Sequence, residues 1–217
     1  MVPRNGRRIE SPGPNKNDQE NHAAGNLVFA GFLIGRVIMK IEKISEYDIN
    51  KQLENRLQTL LVESFGEMYP VDRIYYKQLP HFRFIVTDKD NQVIGQVGLD
   101  YRVMNLNEKP IIVLGIIDLC VSETNRSKGI GSLLLNEINE FCKGKSIDFI
   151  LLFADNPDLY LKNGFITVEN KCKWLQIDDV NQTTYGIGNE RNNELMIKKL
   201  GNKNWGQGDL DLLGYLY

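Results

Sequence analysis

The sequence predicts an α+β domain with a mixed, mostly antiparallel central sheet flanked by helices. Residues 97–103 alternate apolar and polar side chains, as a half-buried strand does, and residues 111–121 form a longer apolar, β-branched run. Apolar residues recur at helical spacing in residues 47–65 and 130–141. A chain of 217 residues with 42% hydrophobic residues can bury one large core around these elements.

The elements of the first half follow in order from Met39. We expect a first strand at residues 40–45 and a helix at residues 47–65, where leucines recur every three or four positions. Between the prolines at 70 and 80, residues 68–79 should form a short helix or a loop. Strands at residues 82–87 and 92–103 follow, joined by a turn rich in Asp and Asn.

The second half begins with the expected central strand. Its elements are a loop at 105–110, the central strand at 111–121, a helix from 130, a buried strand at 147–153, and late strands at 166–177 and 194–199. No internal repeat is visible, so the chain is expected to form one domain with a core at residues 39–200 and a tail at residues 201–217.

A basic turn with glycines, Arg126-Ser127-Lys128-Gly129-Ile130-Gly131, joins the central strand to its helix. The first N–H groups of a helix have no partner within the helix, and the helix dipole adds partial positive charge there. Arg126 and Lys128 add full charges, and glycine allows a ligand to approach the backbone closely. The turn therefore predicts a pyrophosphate-binding site, although a turn that only caps an amphipathic helix would need no ligand.

Two other kinds of phosphate loop are excluded by the spacing of the glycines. The chain has no G-x-x-x-x-G-K-[ST], which argues against a P-loop nucleotidase. It also has no G-x-G-x-x-G after a strand with an acidic residue about 20 positions later, which argues against a dinucleotide-binding fold.

The turn resembles the acetyl-CoA loop of the GNAT N-acetyltransferase superfamily, whose pattern is Arg/Gln-x-x-Gly-x-Gly/Ala. A second element of that family lies farther on, where Tyr160 is followed after three residues by the pair Gly164-Phe165. The resemblance covers roughly residues 39–200 and is sharpest at residues 116–165. It implies the GNAT fold with splayed central strands, and acetyl-CoA as cosubstrate.

The resemblance also implies which residues bind the cosubstrate. These are Leu119, Val121, Arg126, Ser127, Lys128, Gly129, Ile130, Gly131, Ser132 and Asn156. Leu119 and Val121 would act through backbone groups that pair with the pantetheine arm, and core packing would explain them equally well. Asn156 would bond the same arm, or it could cap the short helix that follows.

Direct acetyl transfer needs a base for the amine and an acid for the leaving thiolate. Tyr160 resembles the general acid of the family, although it could be a core aromatic. Asp118 is the one acidic residue inside the apolar central strand, and we expect it to be the base unless it points away from the cleft. Asp100, Glu63 and Glu67 are the alternative candidates for the base. Cys120 is expected to be a buried structural thiol.

The acceptor is expected to be the primary amine of a small molecule. Acidic and aromatic residues that suit a cationic amine are Glu63, Glu67, Asp209, Asp211, Tyr69, Tyr75, Tyr76 and Trp205. The tail from Trp205 to Asp209 faintly resembles the Trp-x-x-Gly-Asp end of aminoglycoside 2′-N-acetyltransferases. The sequence is also compatible with an aminoglycoside-type enzyme, a protein or peptide acetyltransferase, and a non-catalytic acetyl-CoA-binding module.

Charge and cysteine content limit the partners. A formal net charge of −2 without a dominant basic patch argues against nucleic acid, and no segment is long and apolar enough for a membrane partner. Three cysteines in apolar or mixed segments predict reduced thiols and a cytoplasmic protein. With only two histidines, no metal site is expected. The resemblance allows a homodimer, which no residue demands.

The first 38 residues differ in character from the rest. Residues 1–26 are polar, contain three prolines and show little periodicity, and residues 27–34 form a short apolar run. We expect residues 1–38 to be a disordered leader that need not be native to the domain at residues 39–217.

Overall fold

The computed structural model describes residues 28–34 and 37–217. The strands are β1 (Val28–Ile34), β2 (Val37–Ser45), β3 (Phe82–Thr87), β4 (Val93–Leu106), β5 (Lys109–Val121), β6 (Phe149–Phe153), β7 (Ile166–Thr167), β8 (Asn170–Asp178), β9 (Thr183–Asn192), β10 (Leu195–Lys199) and β11 (Gly208–Tyr215). The helices are α1 (Lys51–Phe65), α2 (Ile130–Cys142) and α3 (Asp158–Lys162).

The strands form one mixed sheet in the order β1-β2-β3-β4-β5-β6-β10-β7. A second branch adds β11, which pairs with β4 and with β8, and β9 pairs with β8. All pairs are antiparallel except β5 with β6 and β8 with β11. The predicted fold class, a mostly antiparallel α+β sheet, is confirmed.

Helices cover both faces of the sheet. On one face, Ile130, Leu134 and Ile138 of α2 pack into a buried cluster with Ile116 of β5, and α3 borders the same cluster. On the other face, leucines of α1 pack with Ile85 and Cys120, among other residues. The central strand β5 is therefore enclosed between α1 and α2, so its side chains reach two different environments.

The ends of several elements differ from the predictions. Helix α1 begins at Lys51 rather than at residue 47, because Asn50 caps it by accepting a hydrogen bond from Leu53 N at 3.0 Å. No loop separates β4 from β5, since Asn107 and Glu108 both adopt left-handed conformations in a tight hairpin turn. The predicted strand at residues 166–177 is divided into β7 and β8.

Two strands, β9 and β11, are not predicted from the sequence, and the latter lies in the expected tail. Residues 28–34 are expected in a disordered leader, whereas the structure pairs them as β1 with β2. Their apolar, β-branched and aromatic composition suits a strand added to the open edge of β2. The remaining leader prediction falls on residues outside the described part, apart from 37 and 38, which begin β2.

In the described part of the chain, no helix has the length and apolar character needed to cross a membrane.

Candidate active site

The two central parallel strands separate halfway along their length. β5 and β6 pair from Val113 with Phe149 to Gly115 with Leu151. Beyond that point β5 continues to Val121, whereas β6 stays paired with β10. The backbone of β5 after Gly115 therefore has no strand partner on its β6 side, and the predicted splay is present.

A cleft of about 740 Å³ lies along the separated end of β5. Its walls are Leu119, Val121, Asn125, Arg126, Ser127, Gly129, Ile130, Gly131, Ser132, Asn156, Asp158, Leu159, Tyr160 and Lys162. Every predicted cosubstrate-binding residue except Lys128 is among them. The structure thus brings together two sequence segments that lie some thirty residues apart.

The basic turn enters α2 without a side-chain cap. Gly129 occupies the N-cap position in a left-handed conformation with φ of 81°, which glycine adopts without strain. The first turn of α2 contains no acidic residue, so its N–H groups can receive an anion. Arg126 Nε donates to Val121 O at 3.2 Å, whereas Lys128 Nζ donates to the Asn125 side chain at 3.0 Å.

Tyr160 borders the cleft from α3. Its ring packs edge-on against Phe165 with 5.8 Å between centroids, and burial raises the pKa of its hydroxyl to about 12. The hydroxyl therefore keeps its proton at neutral pH and can donate it in a hydrogen bond. A bond from Asn163 Nδ2 to Ser132 Oγ at 3.1 Å joins α3 to α2 and fixes this wall.

Asn156 lies just before α3, whose N-cap position is occupied by Pro157. The Asn156 side-chain oxygen accepts a hydrogen bond from Asp158 N at 3.1 Å, which supports the first turn of α3. The side chain also borders the cleft, so a contact with a bound ligand is compatible with this local bond.

Asp118 lies on the opposite side of β5 from the cleft, which is the alternative orientation that the sequence left open, with a structural contact in place of a position inside the cleft. Gln96 pairs with Cys120 and Gly98 pairs with Ile117, so β5 has one extra residue between these pairs and forms a β-bulge. Asp118 occupies the bulge with φ of 50°. Its Oδ2 accepts a hydrogen bond from the hydroxyl of Tyr69 at 3.0 Å, on the α1 face.

The surroundings of Asp118 favour its neutral form. Burial raises the pKa of its carboxyl group above the ordinary value, while the Tyr69 hydrogen bond and the charges of Arg83 and Lys77 oppose this increase. The same contact also acts on Tyr69, since burial and the Asp118 charge raise the pKa of its hydroxyl. A carboxyl group whose pKa is raised in this way is closer to the pKa range of a general base at neutral pH.

The rival carboxylates have other surroundings. Asp100 is buried in ion pairs, with His81 Nδ1 at 2.8 Å and with Arg102. Glu63 and Glu67 are exposed, and Glu63 borders a different cavity beside Asp88 and Ser122. None of the three is among the hydrogen-bond partners of the bulge.

The acidic and aromatic tail residues do not gather at this site. Trp205 packs edge-on against Phe149 and donates from Nε1 to Asn170, while Asp209 is exposed and Asp211 pairs with Lys173. The faint aminoglycoside-type pattern is therefore part of the β8–β11 branch, because Asn170 and Lys173 belong to β8.

The C-terminal residues reach the point where β5 and β6 separate. The Tyr217 ring lies against Gly115, and any side chain at position 115 would overlap it. The Arg102 guanidinium contacts both Tyr215 and Tyr217, at 4.3 and 4.7 Å from their ring centroids. Lys77 Nζ donates to Leu216 O at 3.4 Å, so this segment is tied to the loop after α1.

The roles of Gln96, Arg83 and Tyr217 are not predicted from the sequence. A signal for the first two is present, because each is a long polar side chain whose immediate neighbours in the strand are apolar residues or glycine. Such a side chain needs a buried partner, but the sequence does not say which. Nothing in the sequence indicates that Tyr217 returns to Gly115.

The three cysteines, Cys120, Cys142 and Cys172, are buried and free. Burial raises the pKa of the Cys120 thiol to about 12, which argues against a thiolate nucleophile. Within residues 28–34 and 37–217, no group of His, Cys, Asp and Glu side chains could hold a metal ion.

Residues 80–167 match the family model described as the acetyltransferase (GNAT) domain. This range contains β5, the basic turn, α2, Tyr160 and the Gly164-Phe165 pair. No curated protein matches the chain.

Solved structures show the same fold. A GNAT family N-acetyltransferase (YhbS) from Escherichia coli in complex with CoA has a TM-score of 0.51 and 19% identity, covering 81% of this chain and 88% of that one. A GCN5-related N-acetyltransferase from Anabaena variabilis has a TM-score of 0.51 and 15% identity, covering 61% of this chain and 34% of that one.

Proposed function

We propose that this chain, whose residues 80–167 match the GNAT acetyltransferase domain, transfers the acetyl group of acetyl-CoA to the primary amine of a small molecule. One observation carries the proposal. The cleft with the basic turn lies on one side of β5, and the Asp118 carboxyl group lies on the other side, where the strand bulges and leaves β6. An acyl donor and an amine could therefore meet at β5 from opposite sides.

The donor would bind along the cleft. Its pyrophosphate suits the free N–H groups at the start of α2 and the Arg126 guanidinium, which supplies charge-assisted hydrogen bonds. Its pantetheine arm carries amides that can pair with the backbone at Leu119 and Val121, where β5 lacks its neighbour. These contacts would lead the thioester toward the bulge.

The reaction would be a direct attack in a ternary complex. The Asp118 carboxylate takes a proton from the ammonium group of the acceptor, and the neutral amine then attacks the thioester carbonyl. The new C–N bond gives a tetrahedral intermediate, whose nitrogen releases its second proton to water, and the C–S bond breaks as the carbonyl re-forms. Tyr160 donates its proton to the departing CoA sulfur and regains one from water, so the products are the acetamide, CoA and the proton carried by Asp118.

Several contacts support a small acceptor. The loop after α1 and the turn between β8 and β9 contact one another, since Gln182 Nε2 donates to Tyr76 O at 3.4 Å and Arg73 donates to Asp179 O. The same loop bonds Asp118 through the Tyr69 hydroxyl and bonds Leu216 O through Lys77. Loops tied to one another in this way favour a small amine over a protein chain, which would need an open groove.

An aminoglycoside-type enzyme and a non-catalytic acetyl-CoA-binding module have less support. The tail residues that resemble aminoglycoside enzymes belong to the β8–β11 branch, and a non-catalytic module has no evident need for both Tyr160 and Asp118. We propose a cytoplasmic setting, supported by three buried, unpaired cysteines. The homodimer remains a prediction.

Titration calorimetry of acetyl-CoA and CoA, followed by a thiol-release assay over a panel of amines, tests the proposal. We expect micromolar binding of both ligands, and CoA release with a subset of small amines. The panel should include aminoglycosides and a lysine-containing peptide. Binding of acetyl-CoA without CoA release for any amine of the panel would favour the non-catalytic module. If the folded protein binds neither acetyl-CoA nor CoA, the proposal as a whole is contradicted.

A further inference from the structure

The bulge in β5 holds a strained residue. Asp118 has φ of 50°, a left-handed conformation that costs conformational energy in any residue other than glycine. Strained backbone of this kind persists only where the surroundings hold it in place, and it is concentrated at functional sites. The groups that hold Asp118 are therefore of interest for the reaction.

Gln96 of β4 holds the backbone of the bulge. Its side chain is fully buried, and Nε2 donates to the main-chain carbonyl of Asp118. The same nitrogen lies 3.7 Å from Cys120 Sγ, in hydrogen-bonding geometry, so one amide group contacts the backbone at the bulge and the side chain just beyond it. A ladder carbonyl freed by the extra residue is satisfied in this way.

Arg83 of β3 fixes the orientation of that amide. Arg83 Nη1 donates to Gln96 Oε1 at 2.9 Å, and arginine offers only donors, so the oxygen of Gln96 faces Arg83 and its NH₂ group faces the bulge. Arg83 is itself buried, with bonds of 2.8 and 2.9 Å to the two carboxylate oxygens of Glu46. A further bond of 2.6 Å runs from Nη2 to Ile74 O.

The side chain of Asp118 is held from the α1 face. Its partner Tyr69 is buried, with 3% of its surface exposed. The Tyr69 ring stacks on the Phe65 ring with 5.6 Å between centroids, and its centroid lies 6.2 Å from that of Tyr76. Asp118 is thus fixed twice, through its carbonyl by Gln96 and through its carboxyl group by Tyr69.

We propose that Gln96, aligned by Arg83, is a positioning residue for acyl transfer. By bonding the Asp118 carbonyl it maintains the left-handed bulge, which directs the Asp118 carboxyl group to the α1 face and leaves Leu119 and Val121 facing the cleft. The inference rests on the proposed function, in which Asp118 is the base.

Gln96→Met tests the inference, because methionine has a similar size and shape but cannot donate to the Asp118 carbonyl. We expect kcat to fall by about 10- to 100-fold, since a small displacement of a catalytic group has effects of this size. The apparent pKa on the acidic side of the kcat–pH profile (its acid limb) should change, because Asp118 loses its fixed position between Tyr69, Arg83 and Lys77. The Kd of free CoA should change by less than about threefold, since its phosphates bind at the remote turn.

Asn170→Leu is the matched control, because it removes another buried side-chain amide that donates to main-chain carbonyls, those of Gly206 and Gly208, without touching the bulge or its partners. We expect a lower melting temperature with kcat and its acid limb close to those of the wild type. Equal losses of kcat in both variants, in proportion to stability, would mean a purely structural network and would overturn the inference. A folded Gln96→Met protein with wild-type kcat and acid limb would overturn it as well.

Gln96→Asn provides a second variant in case the methionine protein does not fold. It keeps the amide but is one methylene too short to bridge Arg83 and the bulge, so an intermediate loss of kcat with a shifted acid limb supports the inference, and wild-type behaviour contradicts it. Hydrogen exchange of amides 117–121 gives a readout that needs no acceptor. If the wild type acetylates no amine, the proposed function fails. Faster exchange in the variant would then still support the positioning of the bulge, and unchanged exchange would overturn it.

Discussion

The two sides of β5 are built in different ways. The cleft side consists of two continuous segments, residues 119–132 and 156–162, whose charged groups are exposed. The Asp118 side is assembled from residues on β3, β4, β5 and the loop after α1, which bond one another within the protein. Anion binding therefore needs only a local turn of backbone, whereas placing a half-buried carboxyl group needs side chains from distant parts of the chain.

The largest difference between the two sides of β5 is expected for Asp118→Asn. Asparagine has nearly the same shape but cannot accept the proton of the ammonium group, so we expect kcat to fall by about 10² to 10⁴. The Kd of CoA should stay within about threefold, because the change lies outside the cleft. Steady-state kinetics with a productive amine and calorimetry with CoA measure the two effects. A variant that retains kcat within about tenfold would assign the base to another group.

Tyr160→Phe changes the chemistry on the cleft side. We expect kcat to fall by about 10- to 100-fold, because the departing sulfur loses its O–H donor while the phenyl ring keeps its packing against Phe165. Calorimetry should show nearly unchanged acetyl-CoA affinity. If turnover survives intact while binding is lost, Tyr160 belongs to the binding surface and the general-acid assignment is wrong.

Arg126→Ala and Lys128→Ala form a matched pair within the basic turn. Arg126 lines the cleft, whereas Lys128 is directed to Asn125 and does not. We expect the Kd of CoA to rise by about tenfold for Arg126→Ala and by less than about threefold for Lys128→Ala. The kcat measured at saturating acetyl-CoA should be unchanged in both variants. Equal effects would show that the turn acts through overall charge rather than through placed donors.

Residue patterns predicted the cleft side well and the other side poorly. Gly129, Arg126 and Tyr160 are close in sequence to the elements that carry them, so strand, turn and helix patterns were sufficient to place them in one cleft. Asp118 was recognised as a charge in an apolar strand, but the side it faces depends on the bulge. Strand alternation alone cannot show an extra residue, because the bulge is defined by pairing with β4.

The missed strands have a similar explanation. β9 is largely exposed and has only two large apolar residues, Tyr185 and Ile187, so its alternation is too short to mark a strand. β11 pairs with strands some forty and one hundred residues earlier in the chain, and no local pattern marks such partners. The apolar run at residues 27–34 is too short to span a bilayer, and nothing in its own sequence marks the edge of β2 as the partner of residues 28–34.

The fit of Tyr217 on Gly115 can be tested by a double-mutant cycle. Gly115→Ala places a methyl group where the ring lies, and we expect a loss of about 1–3 kcal/mol in the free energy of unfolding. In a Tyr217→Ala background the same substitution should cost much less, because the ring is gone. Urea unfolding of the four proteins measures the coupling. Additive effects would place Tyr217 away from β5 in solution.

The smallest effect concerns stability and pH. The native pKa of Asp118 lies above the value of about 3.9 in the unfolded chain, so the native state binds more protons between these two values. Its contribution to stability is therefore complete below about pH 4 and is lost as the pH rises through the native pKa. The loss amounts to about 1.4 kcal/mol for each pH unit that separates the native pKa from the unfolded one. Asp118→Asn should remove this loss, which urea unfolding across the range measures.

The same proton links stability to catalysis. If Asp118 is the base, kcat must rise with pH through the pKa that governs the loss of stability, apart from the change caused by bound substrates. Coincidence of the two transitions, both absent in Asp118→Asn, would tie the buried carboxyl group to the reaction. The opposite result would be a fall of kcat near the ordinary pKa of an exposed carboxylate, with the stability transition unchanged. The two transitions would then belong to different groups, and Asp118 would have a structural role only.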